Sequence, residues 1–302
     1  MIDFPALPTV PAEQTASGSA FARFEDISQD GRLMLTSTFV LGGPLLWGEL
    51  LGRLPLARAL YRQGIVPIFS RMVVEGFPGP FGIIAPFSVK GGYQLAHAGR
   101  GDQVERILLN LWAEIDGQRS RGQGPRPSAA KEVVSAGRFF VEQVLTRPFA
   151  PPEQRKVLHL EVEGYPKVPE ARHPFREYSA IARLPDGATP LEPAPSPDVV
   201  PIVFGLCHTD RNQHINSMVY LRMFEEAALR RFASSSLPLG LARSFEVGFR
   251  KPCFAGDRAR IMLQLFRLGE RLGAVGMFLA EDDVNAPELA RPYCVVRMLF
   301  EP

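Results

Sequence analysis

Three cysteines in 302 residues, at 207, 253 and 294, are too few and too scattered for a disulfide framework, and none stands at a metal-ligand spacing. Reduced thiols in a cytoplasmic protein, without zinc, are the expectation. Charge of one sign is also missing: 34 Lys and Arg face 32 Asp and Glu, a formal net charge of +2, which offers no electrostatic footprint for DNA or RNA. Long uncharged runs are absent as well. The most apolar stretch, "LGGPLLWGELLGRLPLARALY", is broken by Pro44, Glu49, Arg53, Pro55 and Arg58, which excludes membrane insertion through it. The opening "MIDFPALPTVPAEQTASGSA" has neither a basic n-region nor an apolar h-region, which argues against secretion and reads as a flexible tail over residues 1–20. Among the histidines, His97, His159, His173 and His208 stand alone. No metal and no cofactor are expected.

The chain exceeds the usual span of one hydrophobic core, so two domains, or one architecture used twice, is the starting expectation. Residues 117–128, "GQRSRGQGPRPS", read as a long surface loop. Residues 185–201 carry six prolines, which hold the backbone extended and stop sheet or helix from running through. They predict a linker at 185–200 between a first domain over 21–184 and a second over 201–302.

The second domain has the clearer pattern. "VPIVFGL" reads as a strand, and a helix follows from about Ser217 to Ala233. On that helix Tyr220, Leu221, Phe224, Ala227, Ala228 and Phe232 recur at three- and four-residue intervals, with Arg222, Glu225, Glu226 and Arg230 on the opposite face. Four strand-like runs come next: "SFEVGFRKPCF", "DRARIMLQLFRLG", "LGAVGMFLAED" and "PYCVVRMLFEP". One strand, one helix and four closely connected strands describe an α+β unit, an antiparallel sheet wrapped around a single helix. The first half repeats the order less regularly: a strand "RLMLTSTFVL", a helix at about 45–63, then strands "FGIIAPFSV", "QVERILLNLWAEID", "KVLHLEVEGY" and "EYSAIARL". A local echo, "PFSVKGGYQLAHAGRGDQVERILLNL" against "SFEVGFRKPCFAGDRARIMLQLF", also suggests a repeat.

The unusual chemistry is concentrated in "CHTDRNQHINSMVYLRMFEEAALRRF", residues 207–232, where Asp210, Asn212 and His214 occupy every second position ahead of the helix. A carboxylate can act as a general base or a nucleophile, an imidazole can carry a proton near neutral pH, and an amide can fix a water or a carbonyl oxygen. The helix N-terminus beyond them offers unpaired N–H groups to a developing oxyanion, near Asn216 and Ser217. If the loop is extended, spacing by two brings all three side chains toward one cavity. The same residue types are also ordinary turn and capping residues.

"TDRNQHINSMVYLRMFEEA" resembles the signature of hotdog-fold thioesterases, most closely that of acyl-acyl carrier protein thioesterases, which reads Asp-x-Asn-Gln-His-Val-Asn-Asn before a Tyr-containing helix. The resemblance is specific over about thirty residues and architectural beyond them. It implies a tandem double hotdog, each half a sheet around one central helix, with catalytic residues in the second half. It also implies hydrolysis of a fatty or polyketide-type acyl thioester by Asp210, Asn212 and His214. The family's Arg-Arg-Glu-Cys segment corresponds to Arg250, Lys251, Pro252 and Cys253, so a proline stands where the family has a glutamate. Water activation then falls to Asp210 alone or to another acid. Cys253 is a candidate site residue, more readily a small buried hydrophobe than a nucleophile. Asn216 matches the first of the family's two asparagines and Ser217 replaces the second, both read as caps.

Arg250, Lys251 and Tyr220 are candidates for substrate binding, and Arg243 and Arg258 are further candidates to meet the phosphates of coenzyme A or of a carrier protein. The first half offers Trp47, Phe69 and glycines 42, 43, 48 and 52 beside an acyl chain. Acyl carrier protein and a second copy of the chain are the candidate macromolecular partners. Two alternatives stay open. One is an enoyl thioester hydratase, whose Asp-x-Asn-Pro-x-His motif differs here in lacking the proline and in histidine position. The other is a decayed acyl-binding protein, suggested by Pro252.

Overall fold

In a computed structural model the protein is described over residues 2–52, 55–120 and 132–301, and its described chain divides into two compact units, 4–176 and 177–301, the latter joined by residues 2–3.

The first unit begins with β1 (Thr15–Ala20) and α1 (Leu35–Leu45), which runs on into a π-helical segment, Leu46–Leu51. Pro44 lies inside α1; it has no N–H to donate and its ring crowds the preceding turn, and the helix widens to π geometry just beyond it. Then come α2 (Pro55–Arg62), β2 (Val66–Gly76), β3 (Phe87–Arg100), β4 (Gln103–Gln118) and β5 (Val133–Thr146). The strands form an antiparallel sheet in the order β1-β3-β4-β5-β2. α1 packs on one face of it. A Cβ on Gly42 would stand 2.5 Å from Cε1 of Phe139 and 3.4 Å from Cβ of Ala113, so the space beside this glycine is filled by the sheet rather than left for a ligand. Gly42→Ala is expected to destabilise the protein by about 1–2 kcal/mol, because overpacking costs about 1–3 kcal/mol while the helix preference of Ala returns up to about 1. Urea denaturation measures this.

A strap over residues 155–176 crosses this sheet. His97 N–H donates to the Ala171 carbonyl at 2.8 Å and His173 N–H to the His97 carbonyl at 2.9 Å, and the Arg106 guanidinium lies 3.8 Å from the Phe175 ring centre. The His173 ring stacks on Phe140, and its Nε2 is 3.5 Å from Oε2 of buried Glu142. Burial, with Arg71 adding to it, pushes the His173 pKa down from 6.5 to about 4. The folded protein thus refuses a proton that the unfolded chain accepts, and stability held above pH 6.5 is lost as pH falls toward 4. Glu142 acts in the opposite sense, since burial pushes its carboxyl up against the pull of Ser70, Arg71 and Arg106. His173→Gln deletes only the first effect. Its Tm should therefore fall less than the wild-type Tm on acidification, by the equivalent of up to about 3 kcal/mol near pH 4.

The second unit contains α3 (Tyr178–Ala182), then β6 (Thr189–Pro190), β7 (Ser196–Pro197) and β8 (Ile202–Val203). α4 (Ser217–Ser234) follows, then β9 (Leu241–Phe249), β10 (Arg258–Leu268), β11 (Arg271–Ala280) and β12 (Cys294–Glu301). The sheet runs β9-β12-β11-β10, and β6, β7 and β8 each pair with β10. Edge strand, helix and four strands therefore occur twice in the same order. β1, β2, β3, β4 and β5 correspond to β8, β9, β10, β11 and β12. No helix among the described residues is long and apolar enough to cross a membrane.

Several expectations are corrected. Residues 15–20 are not a tail: they pair with β3 from Thr15↔Gly92 to Ala20↔Phe87. The break between units falls at 176/177, and the proline-rich stretch belongs to the second unit, where its dipeptide strands sit at a sheet edge that tolerates proline. "RLMLTSTFVL" enters α1, "EYSAIARL" contains α3, and "KVLHLEVEGY" lies in the strap. The echo aligned β3–β4 with β9–β10, which are not equivalent. Of the loop expected at 117–128, Gly117 and Gln118 close β4, and residues 121–128 lie outside the described residues.

Candidate functional site

The segment ahead of α4 folds into a tight turn. A 3-10 turn, Leu206–His208, leads in, with the Gly205 N–H donating to Nδ1 of His208 at 3.0 Å, so that ring carries its proton on Nε2. Thr209 and Ile215 then pair as an antiparallel bridge. Inside it the Asp210 N–H donates to the His214 carbonyl at 3.0 Å, the Gln213 N–H to the Asp210 carbonyl at 2.9 Å, and Gln213 has φ 64°. The Asp210 side chain accepts the Asn212 N–H at 2.8 Å, an Asx turn. The expectation of an extended loop is therefore wrong. Asp210 is half-buried, Asn212 and His214 are exposed, and the three do not converge by strand alternation. The His214 ring meets the edge of Phe254, centroids 5.2 Å apart.

Asn216 caps α4, its Oδ1 accepting the Met218 N–H at 2.9 Å, as read from the sequence. Its own N–H goes to the His208 carbonyl, and the Val219 N–H to the Asn216 carbonyl. The Ser217 N–H is left without an acceptor among the described residues, and it stands at the positive end of an 18-residue helix.

The loop is anchored to the next turn by the Ile215 N–H, which donates to the Cys253 carbonyl at 2.8 Å. Cys253 is fully buried, and burial together with a bond to Asp257 pushes its thiol up to about 12. A buried thiol held protonated argues against a nucleophilic role and for the small hydrophobe read from the sequence. Tyr220 is also corrected: it is buried against Phe204, Phe249 and Phe278, with its hydroxyl on the Cys253 thiol, and is a core residue rather than a substrate contact. Pro252 is exposed. Arg243 faces Glu301 at 3.4 Å and Arg258 faces Glu281 at 3.4 Å, so both charges are answered within the protein. Arg250 and Lys251 lie instead over the rings of Tyr178 and Tyr293.

Sequence reasoning put Glu225 on the solvent face of α4. It is mostly buried, accepts the Ala242 N–H at 3.2 Å, and has its carboxyl pushed up by burial. The signal was available: Glu225 falls between Leu221 and Ala228 on the stripe that continues to Phe232.

The first unit contains the same loop in backbone terms. Ile27 and Leu33 form the bridge, the Ser28 N–H donates to the Arg32 carbonyl at 2.8 Å, the Gly31 N–H to the Ser28 carbonyl at 2.9 Å, and Gly31 has φ 81°. The Met34 N–H donates to the Asp26 carbonyl at 2.9 Å, as Asn216 does to His208. The offset is constant, so Ser28, Asp30 and Arg32 hold the positions of Asp210, Asn212 and His214. Trp47 packs in this unit against Phe39 and Phe69, at 5.7 and 5.8 Å between centroids. A cavity of about 420 Å³ here is lined by residues including Arg23, Asp26, Val40, Leu45 and Glu49, and Trp47 is not among them.

Several solved structures align over nearly the whole chain. An acyl-ACP thioesterase from Bacteroides thetaiotaomicron VPI-5482 matches with TM-score 0.58 and 15% identity, covering 96% of this chain and 100% of its own. The 12:0-ACP thioesterase from Umbellularia californica matches with TM-score 0.59 and 11% identity, covering 97% and 99%. The chain is a tandem double hotdog. At these identities the likeness establishes the fold of both units of the double hotdog. A scan of protein-family models and a search of curated proteins both find no match.

Proposed function

We propose that this double hotdog hydrolyses an acyl thioester borne on a carrier protein or on coenzyme A, with Asp210 as the general base. The observation that carries the reading is the pair of backbone-equivalent loops: only the second bears a carboxylate, an amide and an imidazole at the three variable positions. The two acyl-ACP thioesterases that share the fold support it. One Asp210 oxygen holds the Asn212 N–H. The other takes a proton from water as that water attacks the thioester carbon. The oxyanion is met by the Ser217 N–H, and collapse of the tetrahedral species to the carboxylic acid breaks the C–S bond, the leaving sulfur taking the proton back from Asp210 and departing as the thiol. Asn212 and His214, at the exposed rim, orient the incoming ester. Glu225 is too far along α4, more than two helical turns from its start, to share this step from the loop side.

A binding-only reading draws on the Asp210 carboxylate being engaged in its own turn. A panel of acyl donors differing in chain length and carrier, assayed for thiol release, separates the two. Binding without thiol release across the panel defeats the hydrolase reading, and hydration of an enoyl thioester would replace it.

A further inference from the structure

Both units place one side chain at the same point of the turn before their helix, and it makes the same first bond. In the second unit it is His208, whose Nδ1 accepts the Gly205 N–H at 3.0 Å. In the first it is Asp26, whose Oδ2 accepts the Arg23 N–H at 2.8 Å. The offset is that of the two loops, since the carbonyls of His208 and Asp26 accept the N–H groups of Asn216 and Met34. Asp26 shows where a side chain at this point is aimed: its Oδ1 accepts the Ser37 hydroxyl at 2.7 Å, in the first turn of α1. The counterpart of Ser37 in α4 is Val219, which has no hydroxyl. What Asp26 uses inside the first unit, His208 leaves free.

Three features of the fold put this imidazole at the start of α4. His208 faces Asn216 across the Thr209–Ile215 bridge, one residue from Ser217, whose N–H has no acceptor among the described residues. The Phe204 ring meets both the His208 and the Tyr220 rings edge-on, centroids 6.0 and 5.7 Å apart, and Tyr220 lies in the first turn of α4. Thr209 is extended, with φ −88° and ψ 159°, so the side chains of His208 and Asp210 leave the chain on the same side. Accepting at Nδ1 fixes the neutral tautomer with its proton on Nε2, and Nε2 donates to nothing among the described residues. The half-buried ring thus carries one aimed and unused N–H beside the proposed base. We infer that His208 is a second oxyanion donor: its Nε2–H and the Ser217 N–H together hold the oxygen of the tetrahedral species while Asp210 handles the proton of water. This role rests on the hydrolase reading. His208 keeps its own proton throughout, so it adds no step to the proton transfers of the reaction.

Two substitutions in the full chain separate a donor from an anchor of the turn. In His208→Asn the side-chain oxygen takes the place of Nδ1 and keeps the Gly205 N–H, but no N–H reaches the place of Nε2. In His208→Gln an amide N–H reaches that place and the bond to Gly205 is lost. With an acyl donor that the wild type hydrolyses, assayed for released thiol, His208→Asn should lower kcat by about thirtyfold while KM stays within about threefold. The loss is smaller than the roughly hundred- to thousandfold seen for a donor in an enclosed oxyanion hole, because a half-buried site is partly hydrated. His208→Gln should retain kcat within about fivefold of wild type. If His208 only anchors the turn the order reverses: Asn is the active variant, and Gln is the impaired one with a lowered Tm. That reversed order, or equal kcat in His208→Asn and wild type, overturns the inference and leaves hydrolysis by Asp210 standing. If the wild type releases thiol from no acyl donor, the hydrolase reading falls and the oxyanion role of His208 falls with it.

Discussion

Asp210→Asn should lower acyl thioester hydrolysis by at least about a hundredfold, the scale of a lost general base, while leaving the fold unchanged. The substitution is clean because the Asn side-chain oxygen can still accept the Asn212 N–H that the Asp210 carboxylate accepts at 2.8 Å, so the turn keeps its internal bond and only basicity is removed. A control lies in the equivalent loop of the first unit: Ser28 occupies the same backbone position, bonded to the Arg32 carbonyl. Ser28→Ala should change turnover by less than about twofold. The pair of variants, assayed for released thiol with circular dichroism to verify folding, isolates the carboxylate from the loop that carries it. Unchanged turnover in Asp210→Asn would remove Asp210 from the chemistry and leave the loop as a structural turn.

The contrast between the loops also shows what a sequence conveys and what it hides. The second unit was legible because its strands are rich in β-branched and aromatic residues and α4 places Tyr220, Leu221, Phe224, Ala228 and Phe232 on one stripe. In the first unit the order of propensities misleads. α1 reads "LTSTFVLGGPL", a run of β-branched residues and glycines that favours a strand, and it is helical because the sheet packs on it so closely that Gly42 has no room for a side chain. β1, "TASGSA", has no large side chain to reveal its alternation and is a strand because β3 supplies its partners. The positions of Asp210, Asn212 and His214 were legible, but their orientation was not. Spacing by two has meaning only on an extended backbone, and a residue such as Gln213 at positive φ gives no advance notice of a turn where the equivalent Gly31 would have.

Interactions across strands are hidden most completely, and one of them carries the second large effect. Arg297 on β12 and Glu246 on β9 are direct cross-strand neighbours, side chains 3.6 Å apart and almost wholly inaccessible. The other arginine nitrogen donates to the carbonyls of Ala180 and Arg183 around the end of α3. β2 and β5 of the first unit also carry a cross-strand arginine–glutamate pair, Arg71 opposite Glu142. Truncating Arg297 to Ala removes a positive charge 3.6 Å from the buried Glu246 carboxylate and the donor to two carbonyls, and is expected to destabilise the protein by about 3–5 kcal/mol. The loss reflects the cost of weakening the neutralisation of a buried charge more than the worth of the pair, because two ions taken from water return little net energy. The Glu246→Met/Arg297→Met double variant should therefore recover at least about half of the loss, with a coupling of about 1–3 kcal/mol in the cycle completed by the two single Met variants. Urea denaturation at constant m-value measures all of them. If the double variant were as unstable as the sum of its parts, the two residues would be acting independently, and the carbonyls at α3 alone would account for what Arg297 contributes.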